Sequence, residues 1–260
     1  VYYHLSSKAR RAGRSAEAEQ FAQQSISAPP EKVFPHRLED ALVLDEAIRE
    51  NPTDARAHYF LGNFLFASGR YRDASRLWLQ ALGQEFEYAV LHRNLGVHSW
   101  RVEKDLKGAA GFYERAVELA PNEFRLYIDL DEIYTQLGDT ARREKLFASA
   151  PATVLERDTV RVRGALLLVH ERHYDQALAL LKDHLFKPWE GWEGSEIVRH
   201  VYVACNLQQG RASLAEGKYR EAEAAFRLAA EYPENFGLGK PNEPHDEPAL
   251  YWWGEALQAM

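Results

Sequence analysis

Apolar residues recur at helical spacing along most of the chain, and short turns rich in glycine, proline or polar residues separate the apolar segments. Between Leu38 and Ile48 the apolar side chains stand mostly three or four positions apart, which places them on one face of a helix. Asn51 and Pro52 end this segment, because proline lacks an N–H group and cannot continue a helix. The pattern predicts three helices before the first clear repeat, at about 1–12, 15–26 and 37–50.

Two consecutive segments between Ala55 and Asn122 repeat one order of residues. Each contains a Leu-Gly pair, then a small alanine, then an aromatic residue: Leu61-Gly62, Ala74 and Trp78 in the first, and Leu95-Gly96, Ala109 and Tyr113 in the second. Gly62 and Gly96 are 34 residues apart. Self-similarity at this period is the signature of a helical repeat protein.

The period and the residue order resemble those of the tetratricopeptide repeat, a pair of antiparallel helices that stacks on its neighbours. The resemblance implies an all-α fold, an α-solenoid that forms a superhelix of about five repeats with extra terminal helices. The predicted order is capping helices at 1–54, repeats at 55–88, 89–123, 124–157, 158–185 and 195–231, loops at 186–195 and 232–246, and a truncated helix of a sixth repeat at 247–260.

The third repeat departs from this pattern at one position of its first helix. Asp131 stands where the first two repeats have glycine. A small residue there lets the two helices approach closely, so Asp131 predicts either a locally wider spacing or a side chain turned to solvent. Tight crossings are expected at four alanines of the second helices: Ala74, Ala109, Ala177 and Ala222.

A narrower resemblance rests on four short phrases, at residues 34–40, 92–96, 188–194 and 232–235. They resemble the C-terminal repeat tail of large bacterial proteins whose N-terminal half is a mutarotase-like β-supersandwich of uncharacterised function. The resemblance implies that this chain, which begins with Val1, is a fragment from a carbohydrate-related context. It carries over no catalytic residue, because the sandwich is not in this chain.

The net charge of −7 argues against a general phosphate-binding surface, so no nucleic-acid partner is predicted. The single cysteine, Cys205, excludes an internal disulfide and fits a reducing compartment, so a cytoplasmic location is predicted. No apolar run approaches the roughly 18 residues that a membrane helix needs. No membrane partner is therefore expected.

The resemblance implies a concave groove lined by fixed positions of the first helix of each repeat. The candidate groove residues are Tyr59, Asn63, Arg93, Asn94, Arg101, Arg125, Asp129 and Glu132. Asn63, Asn94 and Arg125 stand where the carboxylate clamp of this superfamily has Asn, Asn and a basic residue. Tyr59 and Asp129 depart from the clamp, because they stand where cations are expected. The alternative is that the two asparagines bind neighbouring backbone.

Two loops rich in proline and glycine interrupt the repeats, at Phe186–Ser195 and Tyr232–His245. Both follow the second helix of a repeat, so they are expected to lie next to each other and to form a docking surface. Trp189 and Trp192 are the candidate docking residues. Tryptophan in a loop could stack on sugar rings or bind another domain, or Trp189 could simply cap the fourth repeat.

The sequence argues against a catalytic site and against a metal site. Asp129 and Glu132 share a helix face while Asp131 points elsewhere, which favours a solvated acidic patch over an acid/base pair. His170, His173 and His184 complete no familiar ligand spacing, so neither metal nor cofactor is predicted. The sequence thus predicts a non-enzymatic scaffold that contacts a protein, a peptide or a neighbouring domain of its own polypeptide. The alternative is an accessory wall of a carbohydrate-active enzyme.

Overall fold

The computed structural model describes residues 1–31, 33–187, 194–237, 239–242 and 245–260, without the side chains of Gly194 and Ser195. Within these residues the chain forms fifteen α-helices, one π-helix, one short 3-10 helix and no strand. The predicted all-α fold of paired helices is therefore confirmed. The chain divides into two compact units, Val1–Pro121 and Asn122–Met260.

The first unit contains seven α-helices in its described residues, and the first three agree with the predicted ranges to within one residue or so. They are α1 (Tyr2–Arg11), α2 (Ser15–Ser27), α3 (Leu38–Glu50), α4 (Ala55–Ala67), α5 (Tyr71–Gly83), α6 (Ala89–Val97) and α7 (Leu106–Leu119). A π-helical turn, His98–Glu103, continues α6 and was not expected from the sequence. It ends at Lys104, whose φ of 61° lies in the left-handed region.

The second unit contains eight α-helices in its described residues. They are α8 (Phe124–Leu137), α9 (Thr140–Ala148), α10 (Ala152–Leu155), α11 (Asp158–His170), α12 (Tyr174–Lys182), α13 (Gly194–Ala215), α14 (Tyr219–Ala229) and α15 (Glu247–Ala259). Pro248 lies in the first turn of α15, as predicted. The 3-10 helix Glu234–Phe236 lies within a segment predicted to be a loop.

Aspartates begin three of the helices by accepting a hydrogen bond from an otherwise unpaired N–H group. Asp54 accepts from Ala57 N at 2.9 Å at the start of α4. The other two caps are Asp105 at α7 and Asp139 at α9. Gly138, with a φ of 67°, ends α8, because only glycine adopts this conformation without steric cost. No described helix has the length and apolar character that crossing a membrane requires.

The glycine of the Leu-Gly pair marks the closest approach of the paired helices. A Cβ atom on Gly62 would lie 2.5 Å from Trp78 Cδ1, so α4 meets α5 closely only because residue 62 has no side chain. Two further pairs have the same contact, Gly96 with Tyr113 and Gly210 with Phe226. The four alanines predicted at tight crossings are fully buried: Ala74, Ala109, Ala177 and Ala222.

Candidate functional site

The predicted groove residues fall in both compact units. Tyr59, Asn63, Arg93, Asn94 and Arg101 belong to the first, on α4, on α6 and in the π-helix. The other three, Arg125, Asp129 and Glu132, belong to α8 in the second unit.

In the first unit the two asparagines of the resembled clamp bind side chains of the protein itself. Asn63 Oδ1 accepts a hydrogen bond from Asn94 Nδ2 at 3.0 Å and from the indole Nε1 of Trp78 at 3.1 Å. One alternative predicted from the sequence was that these asparagines bind neighbouring backbone, whereas the partners seen here are side chains. This arrangement fixes both amides and links α4, α5 and α6 at one point.

Tyr59 lies in the core of the first unit. It is buried, and its ring lies 5.2–5.5 Å from the ring centroids of Phe60, Phe86 and Tyr88. Burial raises the pKa of Tyr59 to about 12, with smaller contributions from Tyr88 and the carboxylate of Glu31. The side chain therefore stays neutral and packs mainly against its neighbours.

The connector between α2 and α3 runs along the same surface. The guanidinium of Arg56, which lies in the first turn of α4 and before Asn63, donates a hydrogen bond to Ala28 O. Glu31 is close enough to raise the pKa values of Tyr59 and Tyr88. Part of the predicted groove surface in the first unit is thus in contact with the protein's own chain.

The two arginines of this group remain nearer to solvent. Arg101 is exposed, and its guanidinium carbon lies 3.5 Å from the centroid of the Trp100 ring, a cation–π contact. Arg93 is half-buried and has an interaction within the protein. These side chains could present positive charge to a ligand.

In the second unit, Arg125 lies at the start of α8 and is largely exposed. Its guanidinium carbon lies 5.2 Å from the Phe124 ring centroid, and that of Arg157 lies 5.1 Å from the same ring. Asp129 is half-buried and has a partner within the protein. Two cations thus flank one aromatic ring at this end of α8.

Helices α8, α11 and α13, together with Arg143 of α9, line an open cleft of about 520 Å³. It combines apolar and charged side chains, among them Ile128, Asp131, Glu132, Val162, Arg163, Leu166 and Ile197. Leu166 and Ile197 are 40% and 37% exposed. Glu132, predicted as a groove residue, therefore does line a cleft, together with residues that were not proposed as binding residues.

Asp131 forms the charged floor of this cleft, which excludes one of the two alternatives predicted for it. Its side chain is 0% exposed and accepts hydrogen bonds from Arg143 Nε at 2.7 Å and from Arg163 Nη1 at 2.9 Å. The alternative in which the side chain turns to solvent is wrong. The buried carboxylate has two cationic partners, which is how proteins accommodate such a charge.

Glu132 takes part in the same network from the rim of the cleft. Its carboxylate accepts from Nη1 and Nη2 of Arg163 at 3.3 and 3.4 Å. Arg163 thereby bridges a buried and a partly exposed carboxylate. The guanidinium is held in a fixed position beside the exposed apolar side chain of Leu166.

The two interrupting loops contact one another, so their predicted proximity is confirmed for the described residues. Phe186 N donates to Asn235 O at 2.8 Å, and the Phe186 and Phe236 rings pack edge to face. Asn235 Nδ2 donates to carbonyl oxygens at the end of α12, those of Leu181 and His184. Trp189 and Trp192 lie outside the described residues.

A buried aspartate anchors the second loop where it joins α15. Asp246 accepts from Arg199 Nη2 at 2.7 Å and from the Tyr232 hydroxyl at 2.9 Å. The Arg199 guanidinium also lies 3.9 Å from the Tyr232 ring centroid. The beginning and the end of the loop are therefore tied to α13.

Two other polar side chains form hydrogen bonds with carboxylates of the protein itself. His184 Nε2 lies 2.6 Å from Asp158 Oδ1, and Trp253 Nε1 donates to Glu223 at 3.0 Å. In the described parts of the chain, no three His, Cys, Asp or Glu side chains are placed to share a metal ion. Burial raises the pKa of the Cys205 thiol to about 11, so it is protonated at neutral pH.

Residues 36–82 and 62–124 match the family model of the tetratricopeptide repeat. This part of the chain is similar to an array of tetratricopeptide repeats. The first match overlaps the first of the two copies that contain the Leu-Gly pairs, and the second match overlaps both copies. The repeat family that the sequence resembles is therefore supported by an independent comparison, whereas the narrower resemblance to a mutarotase-linked tail stays a prediction.

Solved structures of similar fold include the Naa15/Naa10 structure bound to HypK-THB, at 15% identity and a TM-score of 0.54, with 99% of this chain and 33% of that chain covered. A tetratricopeptide repeat protein from Parabacteroides merdae has 15% identity, a TM-score of 0.48 and 98% coverage of both chains. YrrB, a tetratricopeptide-repeat protein with an unusual peptide-binding site, has 17% identity and a TM-score of 0.46, over 70% of this chain and 86% of its own. At these identities the likeness shows the fold alone.

Proposed function

We propose that the chain is a protein-interaction scaffold and that the cleft between α8, α11 and α13 binds an extended peptide. The observation that carries this proposal is the exposure of two apolar side chains, Leu166 and Ile197, beside the fixed charge pair of Arg163 and Glu132. An apolar side chain of the peptide would cover the first pair. Its backbone or a polar side chain would bind the second.

The architecture favours a polypeptide over a compact small molecule. Stacked repeats present one helix each to a continuous surface, and such surfaces suit extended ligands. The cleft draws its lining from the first helices of three repeats and is open to solvent. A peptide can follow such a row of helices, whereas a small molecule is usually enclosed over most of its surface.

The cationic side chains suggest the first ligands to test. Arg93 and Arg101 stand at groove positions of the first unit, and we propose that they favour an acidic or carboxylate-ended peptide there. Arg125 stands at a groove position of the second unit, and we propose the same preference for it there. Charge-assisted bonds to arginine would supply the specificity. Binding of such a peptide should weaken as salt rises, because exposed charges are screened beyond about 8–10 Å near physiological ionic strength.

A display selection followed by titration tests the cleft. Peptides selected from a random 12-residue library with the full chain would be titrated against wild type, Leu166→Asp and Leu257→Asp. Leu257 is a matched control, because it is 53% exposed on α15 and does not line the cleft. We expect at least a tenfold loss of affinity for Leu166→Asp, about 1.4 kcal/mol, and no loss for Leu257→Asp. Equal binding to all three proteins would refute the assignment of the cleft.

We further propose that the chain is part of a larger bacterial protein and works in the cytoplasm. The narrower resemblance supports the first point, and the single buried Cys205 fits the second. The alternative function, an accessory wall of a carbohydrate-active enzyme, rests on that resemblance and on Trp189 and Trp192. Sequencing the region upstream of Val1 separates the two functions, because a β-sandwich encoded there would favour the alternative.

A further inference from the structure

A second cavity, of about 580 Å³, lies between α9, α10, α11 and α12 and is separate in its lining from the proposed peptide cleft. Most of its wall is apolar and comes from Phe147, Leu155, Val160, Gly164, Leu167 and Leu180. The volume falls within the range of small-molecule sites, about 300–1,000 Å³.

The cavity lies where the other repeats are filled by an aromatic ring. Gly62 and Gly210 meet Trp78 and Phe226 so closely that a Cβ atom would be 2.5 Å from the ring. At the equivalent place in α11 and α12, a Cβ on Gly164 would be 3.7 Å from the nearest atom of Leu180. Because residue 180 is leucine whereas the equivalent residues are aromatic, the space beside Gly164 is left unfilled in this repeat.

One charged group of the wall lacks a carboxylate partner. Arg161 Nη1 donates to Leu180 O at 3.1 Å, whereas its Nε atom is buried and has no hydrogen-bond partner among the described residues. A guanidinium stays protonated at any physiological pH. An anionic acceptor in the cavity would give this half-buried guanidinium a charge-assisted partner.

The remaining titratable groups of the wall lie nearer to its edge. Glu144 is exposed, and Glu171 is 3.9 Å from the exposed ring of His170. His173 is exposed as well. Arg161 is thus the cation of the wall that has no carboxylate partner among the described residues, while the carboxylates of Glu144 and Glu171 are exposed and half-buried, respectively.

We propose that this cavity binds a small monocarboxylate with an apolar body. The apolar part occupies the space next to Gly164 and Leu180, and the carboxylate accepts a hydrogen bond from the Arg161 guanidinium. Such a bond is charge-assisted and stronger than a neutral one. The site is distinct from the peptide cleft and does not depend on the proposed scaffold function.

Calorimetric titration of the full chain with decanoate and with 2-naphthoate tests this site. Decanol is the matched neutral probe, because it keeps the aliphatic body and lacks the charge. We expect saturable binding of at least one carboxylate and at least tenfold weaker binding of decanol. Arg161→Gln should lower the carboxylate affinity at least tenfold, whereas Arg161→Lys, which keeps the charge, should lower it less.

Filling the cavity provides a variant that does not disturb the arginine. Leu180→Phe places in α12 the residue type that α14 has at Phe226, and it should abolish binding while the circular dichroism spectrum stays that of the wild type. The proposal is overturned if neither carboxylate binds saturably, if decanol binds as tightly as decanoate, or if Arg161→Gln and Leu180→Phe bind like the wild type.

Discussion

Removing the Asp131 carboxylate should lower the free energy of unfolding of the second unit by more than the loss of an exposed ion pair would. Asp131→Ala leaves Arg143 and Arg163, which are 13% and 29% exposed, without their shared acceptor. Breaking a buried pair costs about 3–5 kcal/mol. Because both arginines retain some access to water, we expect a lower value, about 2–3 kcal/mol. Asp131→Asn keeps the shape and one acceptor oxygen, so it should cost about 1–2 kcal/mol.

The free energy of unfolding would be measured by urea denaturation, followed by circular dichroism at the helix band. Asp73→Ala is the matched control, since Asp73 also bridges two arginines, Arg70 and Arg76, but on the surface. Exposed ion pairs contribute about 0–1 kcal/mol. If Asp131→Ala costs no more than Asp73→Ala, the buried network does not stabilise the repeat and the reasoning is refuted.

Three further predictions concern packing and protonation. Ala74→Leu should lower the free energy of unfolding by about 1–3 kcal/mol in the same assay, because Ala74 is fully buried at a helix crossing. An unchanged denaturation midpoint would contradict the prediction that Ala74 lies at a tight crossing. Hydrogen bonds from the His4 ring and from two backbone N–H groups outweigh burial and lower the pKa of Asp40 from 3.8 to about 2. The stability that Asp40 adds relative to Asp40→Asn should therefore be present above about pH 4 and vanish near pH 2; a pH-independent difference would be inconsistent with this shift. Cys205 should react with a thiol reagent at pH 8 only after unfolding, and rapid labelling of the native protein would show that it is accessible.

The helices could be predicted from the sequence because their cause is local and periodic. Apolar residues three or four positions apart define the buried face, and the glycine opposite Trp78 recurs with the repeat. The proximity of Phe186 and Asn235 could be predicted too, since both follow the second helix of a repeat. In each instance the topology of a repeat determines the outcome.

The candidate sites depended on contacts that periodicity does not contain. Asp131 was expected to widen the helix spacing or to turn to solvent, and only the structure shows that Arg143 and Arg163 reach it from two different helices. The sequence did contain one signal for this contact, because an arginine stands one repeat after the aspartate. The cavity beside Arg161 likewise follows from the volume difference between Leu180 and an aromatic ring, which matters only once the two helices are packed.

Site-specific photocrosslinking at the peptide cleft tests the central claim most directly. A photoreactive phenylalanine analogue would replace Leu166 in the full chain, and the same analogue at Leu257, which is the more exposed of the two, would serve as the control. Irradiation with a selected 12-residue peptide should give a crosslinked product at residue 166, with the attachment site confirmed by mass spectrometry, and little at residue 257. Equal crosslinking at both positions, or none at residue 166 under saturating peptide, would contradict the proposal that this chain is a scaffold that binds its partner between α8, α11 and α13.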